Sequence, residues 1–313
     1  MALTKEQRLA RLKPKQKAYW LKREKYDKLF LQYEARQIRK NAIIYDTVVS
    51  DMTKNIKAFY GEFAKEGVVT YTEAVTPITN KARILREAEK EISRISGDKQ
   101  YLAYLEGLKK QERITRLEAL YFEINKNVYD LAKEAEKSTQ EYLAGSYEKN
   151  YSYQVAALRT ITNRKIPGEL AKIRVQKAVF SEFNGLSFSD RIWKNKETMI
   201  DTLRGTVTNM FIQQKPIDQA TETMIEKFNV SRSAAERIIR TEGARVTEEA
   251  TLQAYGEAKV EYYIFDSVLD ERTSDICEEL AGQRFRLDEA QAGVNYPPMH
   301  PNCRSTTVPD FGE

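Results

Sequence analysis

The chain has 313 residues, of which 41% are hydrophobic and 31% charged, with a net charge of +5 and a mean hydropathy of −0.62. That length supports one large domain or two to three small ones, with a core that needs no disulfide or structural metal to form. The composition excludes a disordered chain and a membrane protein, since no apolar run approaches the roughly 18 residues of a spanning helix. Met1-Ala2-Leu3-Thr4-Lys5-Glu6 lacks the apolar segment of a secretory signal. Two cysteines exclude a disulfide scaffold and fit synthesis in a reducing cytoplasm, and a single histidine excludes catalysis that needs two.

The first element is a long basic helix. Between Pro14 and Pro77 there is no proline, and Leu12, Tyr19, Tyr26 and Tyr33 recur every seven residues. A helix from Lys15 to Tyr60 is predicted, about 70 Å long at 1.5 Å per residue, too long for one small globule to cover. It is expected to protrude or to pack on a partner. Residues 1–40 hold thirteen basic and four acidic residues, while the rest of the chain holds 38 basic and 42 acidic. The whole positive surplus therefore sits in this segment, which points to a polyanionic partner; a solvated helical face is the plainer reading. Lys13, Lys15, Lys17, Lys22, Arg23, Lys25 and Lys28 are the candidate phosphate contacts, with Tyr19, Trp20, Tyr26 and Tyr33 interleaved.

A loop or β-rich break is expected over Gly61–Thr76. Ile84, Leu85, Ala88, Ile92 and Ile95 then form a helical stripe that ends near Ser96-Gly97-Asp98. A second long helix is predicted from Leu102 to Leu143, stopping before Gly145. Asn163-Arg164-Lys165-Ile166-Pro167-Gly168 reads as a linker and domain boundary. Beyond it shorter helices are expected: one capped by Ser189 or Asp190, one opened by Pro216, and one opened by Ser231 or Ser233. Val260–Phe265 is aromatic and β-branched, as in a strand. The predicted fold is mainly α, with long N-terminal helices, a helical region and a small α+β C-terminal module. The predicted segments are 1–60, a basic long-helix arm; 61–164, helical; 165–259, shorter helices; and 260–313, the compact module.

That module holds both cysteines, the histidine and half of the prolines. It contains Asp270-Glu271-Arg272-Thr273-Ser274-Asp275-Ile276-Cys277, Leu280-Ala281-Gly282, and Pro297-Pro298-Met299-His300-Pro301-Asn302-Cys303-Arg304-Ser305. Together with Arg240-Thr241-Glu242, these strings resemble the phage Mu F-like minor head, or head morphogenesis, proteins of tailed bacteriophages. The family pattern runs Asp-x-Arg-Thr, Cys-x-x-Cys, Leu-x-Gly and Pro-Pro-x-His-Pro-Asn-Cys-Arg-Cys, and the resemblance covers roughly residues 165–313. Ser274 and Ser305 stand where the family often has cysteines.

The resemblance implies a protein of the virion, inside the capsid, made in the host cytoplasm, associated with the portal protein and a candidate for ejection with the genome. Sequence-independent contact with duplex DNA suits the basic segment, and a capsid or scaffolding protein is the other partner for it; no membrane is implied. Cys277, His300 and Cys303 are candidate zinc ligands, with Asp270 or Asp275 as the fourth. Packed thiols with a hydrogen-bonded histidine, or a Cys277–Cys303 disulfide, are the other readings of the same residues. Arg240, Glu242, Asp270, Arg272, Gly282, Pro298 and Arg304 are expected to be structural, with Arg240 and Glu242 a candidate buried pair. No catalytic residue is assigned and no enzyme activity is expected. The rival is a Cys/His hydrolase or metal-dependent nuclease using Cys277 and His300, with Asp270 orienting the imidazole.

Overall fold

The computed structural model describes residues 5–95 and 97–312. Residues 1–4, Ser96 and Glu313 lie outside the described residues, and with them the start of the basic segment and one residue of the expected helix stop. In chain order the helices are α1 (Lys5–Ala10), α2 (Pro14–Phe63), α3 (Tyr71–Ala74), α4 (Lys81–Arg94), α5 (Lys99–Lys110), α6 (Arg116–Thr162), α7 (Lys172–Phe180), α8 (Phe188–Ile212) and α9 (Ile217–Glu257). Strand β1 (Tyr262–Asp266), helix α10 (Asp275–Leu280), β2 (Arg284–Arg286) and β3 (Thr306–Asp310) complete the chain. The fold is mainly α with one small antiparallel sheet of order β2-β1-β3. None of the described helices is long and apolar enough to cross a membrane.

The chain divides into two units, each built from separated stretches. The first takes Met1–Lys40, Glu136–Arg191 and Glu236–Glu313; the second takes Asn41–Ala135 and Ile192–Ala235. The expected boundary at residues 163–168 falls inside the first unit. There Asn163 turns the chain with φ 52°, Ile166 is buried, and Arg159 reaches forward to the Ile166 and Pro167 carbonyls. Hydrogen bonding of this kind makes the segment a fixed connection rather than a linker.

In the first unit, α2 does not protrude. Gln16, Tyr19, Arg23, Tyr26 and Gln37 are buried along one stripe. Tyr19 donates to Gln154 of α6 and receives a hydrogen bond from Tyr255 of α9, while Gln16 donates to Asp310 of β3 at 3.1 Å. The seven-residue tyrosine repeat is thus a packing stripe. Gly145 does not stop α6. A Cβ there would stand 2.6 Å from the Tyr33 hydroxyl, so the glycine allows the close approach of α2.

The second unit is helical throughout. Its larger core gathers Met52, Ile56 and Phe59 of α2, Leu203, Val207 and Phe211 of α8, and Met224 and Phe228 of α9. A smaller core joins Ile84 and Ala88 to Leu105, Leu108, Phe122 and Tyr129. Asp98 caps α5 and forms a buried ion pair with Lys196 at 2.5 Å. The helix predicted to run unbroken from Leu102 is interrupted at residues 111–115, where Thr115 and Glu118 form a reciprocal cap on α6. Two other expected caps also move. Ser187 rather than Ser189 opens α8, exchanging hydrogen bonds with Asp190. Neither Ser231 nor Ser233 opens a helix, because α9 runs through them and Ser233 donates back to the Asn229 carbonyl.

Candidate metal centre and basic face

The C-terminal module brings its motif together around the sheet. Strand β1 alternates half-buried and buried residues, which places Tyr263 and Phe265 inward. It pairs antiparallel with both β2 and β3. Gly282, at φ 81°, turns the chain after α10 and donates to the Phe265 carbonyl at 2.8 Å. Only a residue that tolerates positive φ fits there. Phe265, Cys277, Met299 and Cys303 form the small core, with Leu280 and Phe285 against it. Pro298, after a cis peptide bond, is buried beside it.

Within this core the Cys277 and Cys303 sulfurs are 3.8 Å apart, and His300 Nε2 is 3.4 Å from Cys277 Sγ. All three ligand atoms lie within 4.8 Å of one another. Zinc bound tetrahedrally, with Zn–S about 2.3 Å and Zn–N about 2.0–2.1 Å, needs S···S and S···N edges of about 3.8 and 3.6 Å. The Cys277–Cys303 and Cys277–His300 edges fit that requirement. His300 Nδ1 faces the Pro301 carbonyl at 2.9 Å, so Nδ1 carries the proton and Nε2 is left as an acceptor. Ser274 donates to that Nε2 at 2.8 Å, and its side chain makes no capping bond to α10, although Ser274 is the N-cap residue. Burial pushes the Cys303 thiol above its ordinary value, and neighbouring Cys277 adds to the rise.

The expected carboxylate ligands do not join the group. Asp270 is held by the Arg304 guanidinium, at 2.8 Å to one oxygen and 2.5 Å to the other. Arg304 and then the Arg272 backbone N–H hold its carboxyl well below the usual range. Asp275 is exposed on the first turn of α10. The position nearest the histidine is filled by the hydroxyl of Ser274, the residue that stands where the resembled family often has a cysteine. Arg304, expected to be structural, ties its turn to Asp270 through its side chain, whereas Arg272 contributes its backbone N–H and leaves its side chain exposed.

The expected Arg240–Glu242 pair does not form. Arg240 is exposed and reaches Glu236 at 4.0 Å. Glu242, fully buried, binds Arg245 at 2.7 Å and Arg191 at 3.1 Å. Arg245 in turn donates to the Ala178 carbonyl and to Ser181, fastening the end of α7. Thr241 accepts from the Asn302 backbone N–H at 3.2 Å, and Tyr296 donates to the Glu248 carbonyl, so α9 carries the proline-rich loop.

The basic candidates separate by helix face. Lys13, Lys17, Lys25 and Lys28 are exposed, and Lys15 and Lys22 are half-buried. Arg23 is a correction: only 4% exposed, it binds Glu248 at 2.5 Å and Thr251 at 3.3 Å, so it is an internal cation and no phosphate contact. The periodicity could have shown this, since Arg23 lies between Tyr19 and Tyr26 on the buried stripe.

Residues 201–308 match the family described as Phage Mu protein F like protein, a stretch running from α8 through α9 into β3 and containing the whole motif. A curated relative, the large ribosomal subunit protein bL9 of Cupriavidus metallidurans, is 31% identical over 101 residues, which cover 30% of this chain. The chain spans 65% of that relative's length. No solved structure matches. Over residues 201–308, where Cys277, His300 and Cys303 converge, the chain is similar to the family described as Phage Mu protein F like protein.

Proposed function

We propose that this protein is a minor head protein of a tailed phage, made in the host cytoplasm and carried inside the capsid at the portal. The observation that carries the reading is the family match over residues 201–308, which takes in the motif module and the helix that holds it. The ribosomal likeness covers too little of the chain to suggest a function. Coexpression with the portal protein of the same phage tests the association. The two are expected to copurify, and heads assembled with portal but consistently lacking this chain would refute the assignment.

The exposed lysines of α2 support sequence-independent binding of duplex DNA, consistent with passage of the protein out with the genome. With about four phosphates neutralised, log affinity should fall against log salt with a slope of about −4. Deleting residues 1–40 is a poor test, because it removes Tyr19, Arg23 and Tyr26 from the core. Lys-to-Gln changes at Lys13, Lys17, Lys25 and Lys28 keep the fold and should flatten the slope stepwise. Failure of the intact protein to retard duplex DNA at about 50 mM salt would hand this face to an acidic capsid or scaffolding protein.

Zinc at Cys277, His300 and Cys303 is read as structural. When bound, the ion supplies a cross-link between α10 and the proline-rich loop, and Ser274 or solvent completes the set. The enzyme reading draws on the 3.4 Å separation of Cys277 and His300. Against it, Cys277 is 2% exposed, His300 Nδ1 meets a carbonyl, and Asp270 is committed to Arg304. A nucleophile needs access and an oriented base. Alkylation of the cysteines should therefore lower stability without abolishing any turnover.

A further inference from the structure

The first unit carries an open groove away from the motif. On α2, Tyr26, Leu29, Phe30 and Tyr33 follow the i, i+3, i+4, i+7 spacing of one helical face, and with Lys149 and Tyr153 of α6 they line a space of about 530 Å³. Leu29 stands at the edge with 60% of its surface exposed. Arg36 and Lys149 line the same groove, against the single carboxylate of Glu148.

We propose that this groove docks an amphipathic helix of a partner protein, apolar along one stripe and flanked by Asp or Glu. A helix fits because two neighbouring helices present a trough into which the side-chain ridge of a third can settle. The lining from Tyr26 to Arg36 extends over about 15 Å, so about three turns of an occupant fill it. Unpaired nucleobases fit poorly at Tyr26 and Tyr33, whose rings already have two neighbours each. Tyr26 is stacked between Phe30 and Tyr153, with centroids 6.3 and 4.8 Å away. Tyr33 packs on Tyr142 at 5.2 Å and carries the Lys149 ammonium 3.6 Å from its ring centroid. Base binding needs a free aromatic face, whereas leucine or methionine side chains need only the apolar edges.

Charge selects the partner. The groove's lining carries Arg36 and Lys149 against Glu148 alone, and a second copy would bring the same positive surplus against it. Like charges brought together disfavour that pairing, and acidic flanks on the occupant favour docking. The proposal stands on the groove alone and does not depend on the head-protein reading.

Fluorescence anisotropy with the full-length protein and three labelled peptides tests it. All three are designed helices of about 18 residues with a leucine stripe; one is flanked by Glu, one by Lys, and one is the Glu version interrupted by proline. The Glu-flanked helix should bind at least about tenfold more tightly than either of the others, a difference of about 1.4 kcal/mol. Leu29→Asp should weaken it by a similar factor while leaving the melting temperature unchanged, since the side chain is largely exposed. The double change Arg36→Glu and Lys149→Glu should transfer the preference to the Lys-flanked helix.

Equal binding of all three peptides, or binding unaffected by Leu29→Asp, would overturn the proposal. So would self-association in ultracentrifugation that Leu29→Asp abolishes, because a second copy would then be the occupant. Competition by oligo-dT at matched charge with no response to Leu29→Asp would assign the groove to nucleic acid and equally refute it. Peptide binding without portal copurification would leave this proposal standing and remove the head assignment instead.

Discussion

Ser274 shows how one side chain can serve two geometries. It occupies the N-cap position of α10, where a hydroxyl usually accepts from the helix backbone, yet its hydroxyl donates to His300 Nε2 at 2.8 Å. The oxygen therefore lies beside the histidine nitrogen that would bind zinc. Ser274→Cys should raise zinc affinity and make the metal harder to strip with chelator, whereas Cys303→Ser should release zinc and lower the melting temperature. Elemental analysis before and after chelation reads both; metal-free protein with unchanged melting in chelator would refute the zinc reading. The convergence of Cys277, His300 and Cys303 was legible in their turn spacings and in the family resemblance. Ser274 was marked by the resemblance as standing at a cysteine position, but its hydrogen bond to the histidine was not legible, because nothing in the local sequence distinguishes a capping serine from one turned toward a histidine. Arg23 makes the complementary point. Its pairing with Glu248 depends on residues 225 positions apart, which no local pattern carries. Arg23→Gln should cost about 3–5 kcal/mol in chemical denaturation, since it leaves a buried carboxylate without its cation. Replacing both Arg23 and Glu248 by Met and Leu should recover much of that loss, and failure to recover would mean that the other bonds of the network carry the stability.

At the scale of the elements, the sequence located the long helices and the breaks after α2 and α4, but not the break before α6. α2 was predicted over Lys15–Tyr60 and is formed by Pro14–Phe63, because proline-free sequence with a continuous stripe has no competing conformation. The break between α5 and α6 was missed, since the reciprocal Thr115–Glu118 cap lies inside a stripe whose apolar spacing continues across it. Gly145 misled in the opposite direction. Glycine ends helices when it must take positive φ, but inside a helix it also marks where another element approaches closely. Gly243 of α9 is the sharper case. A Cβ there would lie 2.5 Å from the Tyr142 hydroxyl and 3.1 Å from its ring, and that ring is buried. Gly243→Ala gains about 1 kcal/mol of helix propensity. Against this, overpacking at a buried ring costs about 1–3 kcal/mol, so the net effect should be a lower melting temperature. The companion change Tyr142→Phe removes the offending oxygen and should restore most of it. A Gly243→Ala protein as stable as the parent would show that α6 and α9 are less tightly packed than described.

Across the whole molecule the dominant chemical feature is tyrosine, with 18 in the chain, many of them buried in helix-packing stripes. Burial makes the phenolate costly, so these hydroxyls hold their protons beyond the ordinary value of about 10. Tyr19 and Tyr147 in the first unit and Tyr60 in the second are each pushed up to about 12, desolvation being the leading cause. The raised value sets the sign of the pH dependence. Below about pH 10 both folded and unfolded chains keep these phenols neutral, and the stability they contribute is fully present. Between about 10 and 12 the unfolded chain loses protons that the folded chain retains, and stability falls, by up to about 2–3 kcal/mol for each such residue. Because both units hold tyrosines of this kind, neither should survive as an isolated alkali-resistant core. Titration followed simultaneously by tyrosinate absorbance and helical circular dichroism should show a first, small tyrosinate step near pH 10 from the exposed phenols. A second, larger step should coincide with the loss of helix. If most phenols instead ionised near pH 10 with helicity intact, the stripes that organise α2, α6 and α9 would be open to water, and the packing that carries the motif module would have to be redrawn.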